Sequence, residues 1–393
     1  MEKIRSIWSR IRSTSENTFY KVRQALAGHK KQAIALAVAV LTVIAGILWF
    51  FLRTYHDYSV VDTYSRNSDT SAEYYFREDG FICYSKDGIS FSDNSGEVLW
   101  NQVFDMSSPK LSVCGDYMAI GDVGANTVYI FNGSGTVGRL DLENPLQDLR
   151  VAGQGVVAAV LSDGASNQID LYNTDGEELV NIRATISQSG YPLALAVSDD
   201  ATKMAVSYIK MTGTIGGRIV FYDFSDPDES GEKGSFEYDQ LFPKLEFMDK
   251  KTLLACGEDG FMTFNVGGAI KEGAQVSVEE EMRSIFVTDN RVGVIVRNSN
   301  VTEETPEKYI LNVYTLGGRQ KLSLPFDFEY KYVEADGSDI ILYNDDACRV
   351  YNYRGHLKFE YTFEQTIESV LPAKGRNTYM LINSQEVQKI RLK

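Results

Sequence analysis

The sequence predicts an all-β fold, an eight-bladed β-propeller, preceded by one transmembrane α-helix. Three observations lead there. A twenty-residue uncharged apolar run lies near the N-terminus, no long amphipathic helical period follows residue 57, and a turn motif recurs roughly every 40 residues through the remainder. A ring of seven blades is the alternative if the first or last unit is misread.

The elements follow in chain order. Residues 1–32 form a basic leader, with eight Lys or Arg side chains against Glu2 and Glu16, a net of +6. Within it Ile4, Trp8, Ile11, Phe19, Val22 and Leu26 recur at three- or four-residue steps, a pattern that fits a basic amphipathic helix on an anionic leaflet or a plain topology-setting tail. Residues 33–52 (AIALAVAVLTVIAGILWFFL) contain no charge and no proline. At 1.5 Å per residue a helix of that length reaches about 30 Å, the thickness of a bilayer's hydrocarbon core. A buried helix of a soluble domain would keep a polar stripe, and a cleaved signal would end at small residues, whereas this run ends in Trp49, Phe50 and Phe51. Positive charge before the span places the N-terminus in the cytoplasm and residues 53–393 outside, at the plasma membrane.

Everything after the leader holds 31 basic and 52 acidic side chains, a net of −21. Such a body repels polyphosphate, so nucleic acid is not an expected partner. Its runs alternate in the manner of strands. Thr127–Phe131, Gln168–Tyr172, Arg218–Tyr222 and Tyr309–Tyr314 are rich in β-branched and aromatic residues and are bounded by turn formers.

The recurring motif is an apolar strand, then Asn, Asp or Thr, two variable residues and Gly. It occurs at Asp93/Gly96, Asn132/Gly135, Asn173/Gly176, Asn265/Gly268, Thr315/Gly318 and Asn352/Gly355. The first side chain bonds the backbone ahead of it, and Gly supplies a left-handed conformation for the return strand. One interval is doubled, because the turn after Asp223 is expanded by the polar insert Pro227 to Ser235. Four-stranded repeats of this length point to propeller blades. The eighth unit runs out of chain after three strands, and residues 58–64 are expected to supply its outer strand, tying the two ends of the domain together.

Two stretches resemble known blades. Ala194–Ser207 is similar to the strand-turn-strand of WD40 and TolB-type propellers, with Ala201 where those place Gly. Phe91–Trp100 resembles the blade motif of quinoprotein-like propellers, with Trp100 as the docking aromatic. At whole-chain scale the leader, single span and acidic repeats resemble domain of unknown function family 5711, uncharacterised Gram-positive membrane proteins. That resemblance implies a fold and a compartment and no activity.

The residues supply little chemistry. His29, His56 and His356 sit in no metal-ligand or nucleophile-base spacing, so no catalytic or metal residue is assigned. Cys83, Cys114, Cys256 and Cys348 lie in or beside apolar strands and read as free thiols, with a Cys83 to Cys114 bridge the one conceivable pairing. No cofactor is expected. Ca²⁺ could suit the oxygen-rich Ser162–Asp170 and Asn344–Asp346, although neither follows a known calcium-loop spacing.

Loops remain the informative feature. The longest connections between second and third strands are Lys210 to Gly217 and Asn298 to Lys308, followed by Gly121 to Asn126. Because recognition is carried on loops of rigid scaffolds, Lys210, Met211, Thr214, Arg297, Asn298, Asn300, Glu303 and Glu304 are the candidate contact residues. The expected function is a membrane-anchored binding or scaffold module for a protein or cell-envelope polymer. An envelope hydrolase or lyase using funnel carboxylates, and a transmembrane sensor, are the alternatives.

Overall fold

In this computed structural model the described residues are 35, 38–43, 46, 53–65, 72–77, 79–164, 166–185, 189–211, 215–226, 228, 231–288, 290–303 and 305–393. The chain divides into two compact units, Met1–Thr54 and Tyr55–Lys393. In the first, residues 35, 38–43 and 46 are helical, and Thr42 Oγ1 donates to the Val38 carbonyl at 2.8 Å. Among the described residues no helix is long and apolar enough to cross a membrane. The leader and the rest of 33–52 lie outside the described residues.

The second unit is an eight-bladed β-propeller of eight four-stranded antiparallel sheets. Strand β1 is Tyr58–Ser65. Blade 1 holds β2 (Glu73–Phe76), β3 (Gly80–Tyr84), β4 (Gly88–Asp93) and β5 (Val98–Val103). Blade 2 holds β6 (Pro109–Cys114), β7 (Tyr117–Asp122), β8 (Thr127–Asn132) and β9 (Gly135–Asp141). Blade 3 holds β10 (Leu146–Val151), β11 (Val157–Ser162), β12 (Ser166–Tyr172) and β13 (Glu178–Thr185). Blade 4 holds β14 (Tyr191–Val197), β15 (Lys203–Lys210), β16 (Gly216–Asp223) and β17 (Gly231–Tyr238). Blade 5 holds β18 (Lys244–Asp249), β19 (Thr252–Gly257), β20 (Gly260–Asn265) and β21 (Lys271–Ser277). Blade 6 holds β22 (Met282–Thr288), β23 (Arg291–Arg297), β24 (Tyr309–Thr315) and β25 (Gln320–Phe326). Blade 7 holds β26 (Tyr332–Ala335), β27 (Asp339–Tyr343), β28 (Ala347–Asn352) and β29 (Leu357–Thr362). Blade 8 joins β30 (Ile367–Pro372), β31 (Thr378–Asn383) and β32 (Glu386–Leu392) to β1, which pairs with β32 from Tyr58↔Leu392 to Ser65↔Glu386.

Side chains of a strand alternate between the two sheet faces, so each blade buries one set against the blade before it and the other against the blade after. In blade 3, Ile169 and Leu171 pack toward blade 4 whereas Tyr172 packs toward blade 2. The core is therefore a ring of eight apolar clusters, one at every junction of consecutive blades. The junction of blades 8 and 1 has the fewest fully buried members, Met380, Ile382 and Val387. Phe81 reinforces it, with ring centroids 5.7 Å from Tyr64 and 5.4 Å from Phe76. Trp100 of blade 1 stacks on Phe131 of blade 2 at 5.0 Å, with the rings 1° from parallel. At the junction of blades 7 and 8, Lys358 Nζ lies 2.7 and 2.6 Å from the two carboxylate oxygens of buried Asp339, which also accepts the Tyr379 hydroxyl at 2.7 Å.

The repeated turn serves these junctions. Gly96, Gly135, Gly176, Gly318 and Gly355 all have positive φ, and several face the outer strand of the preceding blade. A Cβ on Gly96 would lie 2.2 Å from the Tyr64 ring, and one on Gly355 2.9 Å from Leu322. Blade 5 departs from the motif only at its glycine: Gly268 is not left-handed, while the Asn265 side chain accepts from the Gly267 N–H as Asn132, Asn173 and Asn352 accept two residues ahead. Ala201 stands with φ 54°, a glycine-like conformation occupied by a residue with a side chain.

Several expectations need correction. The polar insert ends before Gly231, since Gly231 to Ser235 belong to β17; Pro227, Glu229 and Ser230 lie outside the described residues. Lys210 and Arg297 close strands rather than sit in loops, because Lys210 pairs with Gly216 and Arg297 with Tyr309. The four cysteines are free, so the Cys83 to Cys114 pairing does not form.

Candidate interaction face

Strand direction sorts the connections into two faces. The first strand of each blade runs away from the link with the previous blade, so interblade links and second-to-third-strand loops share one face, here the front. First-to-second and third-to-fourth connections occupy the back. The first strands of successive blades contact one another and therefore line the central channel. The propeller chain enters at the back: the Tyr55 N–H donates to the Lys358 carbonyl at 2.7 Å, and the Lys393 N–H donates to the Asp57 carbonyl at 2.8 Å.

Among the described residues, setting aside the N-terminal helix and the outer strands, the exposed large apolar side chains are Tyr75, Tyr191, Met211, Ile215, Val301 and Tyr332. Tyr75 is on the inner strand β2; the other five all lie on the front. Met211 is 63% and Ile215 62% exposed, in the loop closing β15 to β16. A single exposed apolar residue needs no explanation, but five at the front against none in the described back connections does.

The loop bearing Val301 is braced. Asn298 Nδ2 donates to the Glu307 carbonyl at 2.7 Å, and the Asn298 N–H donates to the Lys308 carbonyl at 2.8 Å, closing the base of the longest loop. Asn298 Oδ1 accepts from the Asn300 N–H, and the hydroxyls of Thr302 and Thr305 meet at 2.7 Å near its tip. Lys210 pairs with Glu237 at 2.6 Å and holds that carboxyl below its usual range. Arg283 and Arg297 flank Glu281 at 3.0 and 3.5 Å, with the same effect. Lys308 meets Glu329 at 2.6 Å, which raises the ammonium and lowers the carboxyl. Of the predicted contact residues, Lys210 and Met211 fall on blade 4, and Arg297, Asn298, Asn300 and Glu303 on blade 6. Thr214 and Glu304 lie outside the described residues. Blade 5 separates the two groups. Ile215 and Val301 lie within the two loops that the sequence singled out, although neither was among the named contact residues; Tyr191 and Tyr332 stand at strand starts outside those loops, and only that position signals their exposure.

The channel carboxylates are largely committed. Asp148 is held by Lys110 at 2.7 Å and Arg150 at 3.1 Å, Glu246 by Lys244 at 3.1 Å, and Glu73 accepts the Tyr84 hydroxyl. Burial raises Glu334. A glycosidase needs one acid and one ionised partner facing it across a cleft; Asp148 and Glu246 instead meet cations and Glu73 a hydroxyl. Among the described residues no cluster of three or more His, Cys, Asp or Glu could hold a metal. Asp163 caps its own turn at the Ser166 N–H, and Asp170 is buried within β12 rather than placed in a loop. On the back, a cleft of about 290 Å³ opens between blades 4 and 5, lined by Asp223, Asp226, Lys233 and Ile270, and narrows to about 20 Å³ above Phe221 and Phe247. Space of that second size admits one water, not a ligand group.

Comparison with known proteins agrees with this architecture. The chain belongs to the family of unknown function DUF5711, whose profile matches residues 51–392. No curated protein matches it. Among solved structures it is similar to BamB from Moraxella catarrhalis, at 12% identity and a TM-score of 0.52, covering 86% of this chain and 100% of that one. It is also similar to the Pan2 WD40 domain of Neurospora crassa, at 10% identity and a TM-score of 0.45, over 72% of this chain and 88% of the other. At such identities the first likeness shows the propeller fold alone. The DUF5711 chain's function must be argued from its own surface.

Proposed function

We propose that this DUF5711 protein is a plasma-membrane-anchored propeller that binds a protein partner outside the cell through its front face. The observation that carries the reading is the exposure of Tyr191, Met211, Ile215, Val301 and Tyr332 along the front connections and adjoining strand starts, where the described back connections expose no large apolar side chain. Bracing of the loop that bears Val301 lowers the ordering cost of docking there, and an apolar centre with a polar surround is the usual anatomy of a protein contact. The uncharged run 33–52 and its basic leader support the anchor and its orientation.

The test is site-directed photocrosslinking in whole cells, with a photoreactive residue placed in the full chain at Ile215 or Val301 and, for comparison, at back-face Ser134 or Thr174. A discrete adduct from the front positions and none from the back is expected. Adducts only from the back would refute the reading.

A further inference from the structure

We infer that the front face over blades 4 to 7 docks a basic, amphipathic segment of its protein partner. The inference rests on the proposed docking role and names the chemistry of the occupant. It comes from the placement of charge, which is independent of the apolar side chains that suggested docking.

Outside the link 66–72, fifteen connections make up the front and fifteen the back. Among the described residues the front connections carry seventeen Asp or Glu against three Lys, a net of −14, whereas the back connections carry ten against seven Lys or Arg, a net of −3. Charge is thus polarised across the ring. Two of the three front lysines are neutralised within the face, Lys308 by Glu329 and Lys331 by Asp345.

Use of the carboxylates divides the faces further. On the back, Asp93 accepts the Ser95 and Glu97 N–H groups, Asp336 those of Ser338 and Asp339, and Asp200 that of Thr202, so these acids build turns. On the front, the exposed side chains of Glu258, Asp259, Glu279 and Glu280 make no hydrogen bond or ion pair among the described residues. They are contiguous, since the Val278 N–H donates to the Asp259 carbonyl at 2.8 Å. This unspent charge on blade 5 lies between Met211 and Ile215 of blade 4 and Val301 of blade 6. Tyr332, with exposed Asp345 and Asp346 beside it on blade 7, continues the arc.

Apolar sites flanking an acidic stretch select a segment whose Lys or Arg side chains are interleaved with apolar ones. Acidic polypeptides and polyanionic envelope polymers are disfavoured by the same field. Complementary charge acts mainly on association rate and on partner choice, and it weakens as salt shortens the screening length.

Two measurements on the full chain test this. In the first, a synthetic fourteen-residue Lys/Leu peptide and its Glu/Leu counterpart are the probes. One variant neutralises the front (Glu258→Gln, Asp259→Asn, Glu279→Gln, Glu280→Gln) and another the back (Glu97→Gln, Asp175→Asn, Asp226→Asn, Asp228→Asn). At low salt the front variant should associate with the Lys/Leu peptide about tenfold more slowly, with a shallower salt dependence, while the back variant stays within about twofold of the native rate. Equal losses from both variants, or tighter binding of the Glu/Leu peptide, would overturn the inference. In the second, the partner segment crosslinked from Ile215 or Val301 is sequenced. A basic segment supports the inference; an acidic or neutral one refutes it while leaving the docking face intact. Crosslinks arising only from the back remove both.

Discussion

Replacing Asp170 by Asn should stabilise the protein at pH 8 and not at pH 4. Asp170 is fully buried in β12, on the face toward blade 2. Its Oδ2 accepts Gln168 Nε2 at 2.8 Å and the Tyr172 hydroxyl at 3.0 Å, while Oδ1 has no hydrogen-bond partner. Burial pushes its pKa up to about 6; the two hydrogen bonds oppose that shift, and the charges of Glu178 and Glu143 add to it. A carboxyl whose pKa rises on folding holds its proton more tightly in the folded state. Its penalty is therefore absent below the unfolded value, near pH 4, grows up to about pH 6 and is complete above. A rise of about two units corresponds to about 3 kcal/mol at pH 8. Asn can accept the same two bonds through Oδ1, but its amide then occupies the partnerless position, at a cost of about 1 kcal/mol. The net gain is about 2 kcal/mol. With an unfolding entropy of about 2.1 cal/mol/K per residue over the propeller, this raises Tm by about 3 °C. Thermal unfolding of the native and variant chains, followed by circular dichroism at both pH values, measures it. A variant melting below the native chain at pH 8, or differing from it equally at both pH values, would refute the argument.

Other expectations follow from single contacts. Gly96→Ala combines a left-handed backbone with a Cβ 2.2 Å from Tyr64, at the junction with the fewest buried residues, whereas Gly176→Ala meets nothing closer than 3.7 Å. The second should cost about 1–2 kcal/mol for its conformation alone and the first clearly more, as compared by urea denaturation. Lys358→Met leaves buried Asp339 with only the Tyr379 hydroxyl and should destabilise by about 3 kcal/mol; a double-mutant cycle with Asp339→Asn should recover part of that loss. Ala201→Gly should raise stability by about 1 kcal/mol at an unchanged fold, because it relieves φ 54°. Maleimide at pH 8 should label Cys114, Cys256 and Cys348 slowly in the native chain and all four cysteines after denaturation. Burial pushes the first two thiols up to about 12 and raises Cys348 as well.

The ring was legible in the sequence because it depends on short-range rules. Period-two alternation marked strands such as Thr127–Asn132, and the Asx-x-x-Gly turn marked blade spacing, both set by local backbone chemistry. The same rules failed where a neighbouring blade decides the outcome. Asn265 has the motif's residue types, but Gly268 is not left-handed and has no preceding outer strand against it. Ala201 keeps a strained conformation that composition would assign to Gly, with its N–H donating to the Ser198 carbonyl at 2.9 Å and Asp200 bonded to Ser198 and Thr202 on either side.

The candidate face was less legible, for a different reason. Loop length identified residues 298–308 as a long connection, which joins β23 to β24, but treated Lys210 and Arg297 as loop members, because strand ends depend on pairing that the local sequence does not display. Carboxylates as numerous as those after the leader carry no site information until each has a position. Once strand direction assigns each connection to a face, the same acids separate into those that cap backbone N–H groups, such as Asp93, Asp200 and Asp336 at the back and Asp163 at the front, and those on blade 5 that cap nothing. A turn-forming carboxylate can be exchanged for Asn with its bond retained, whereas an unpaired surface carboxylate contributes only its charge. The arc from Met211 to Tyr332 therefore combines carboxylates with no structural duty and apolar side chains with no core to join, and both features are accounted for by a partner bearing the opposite charge.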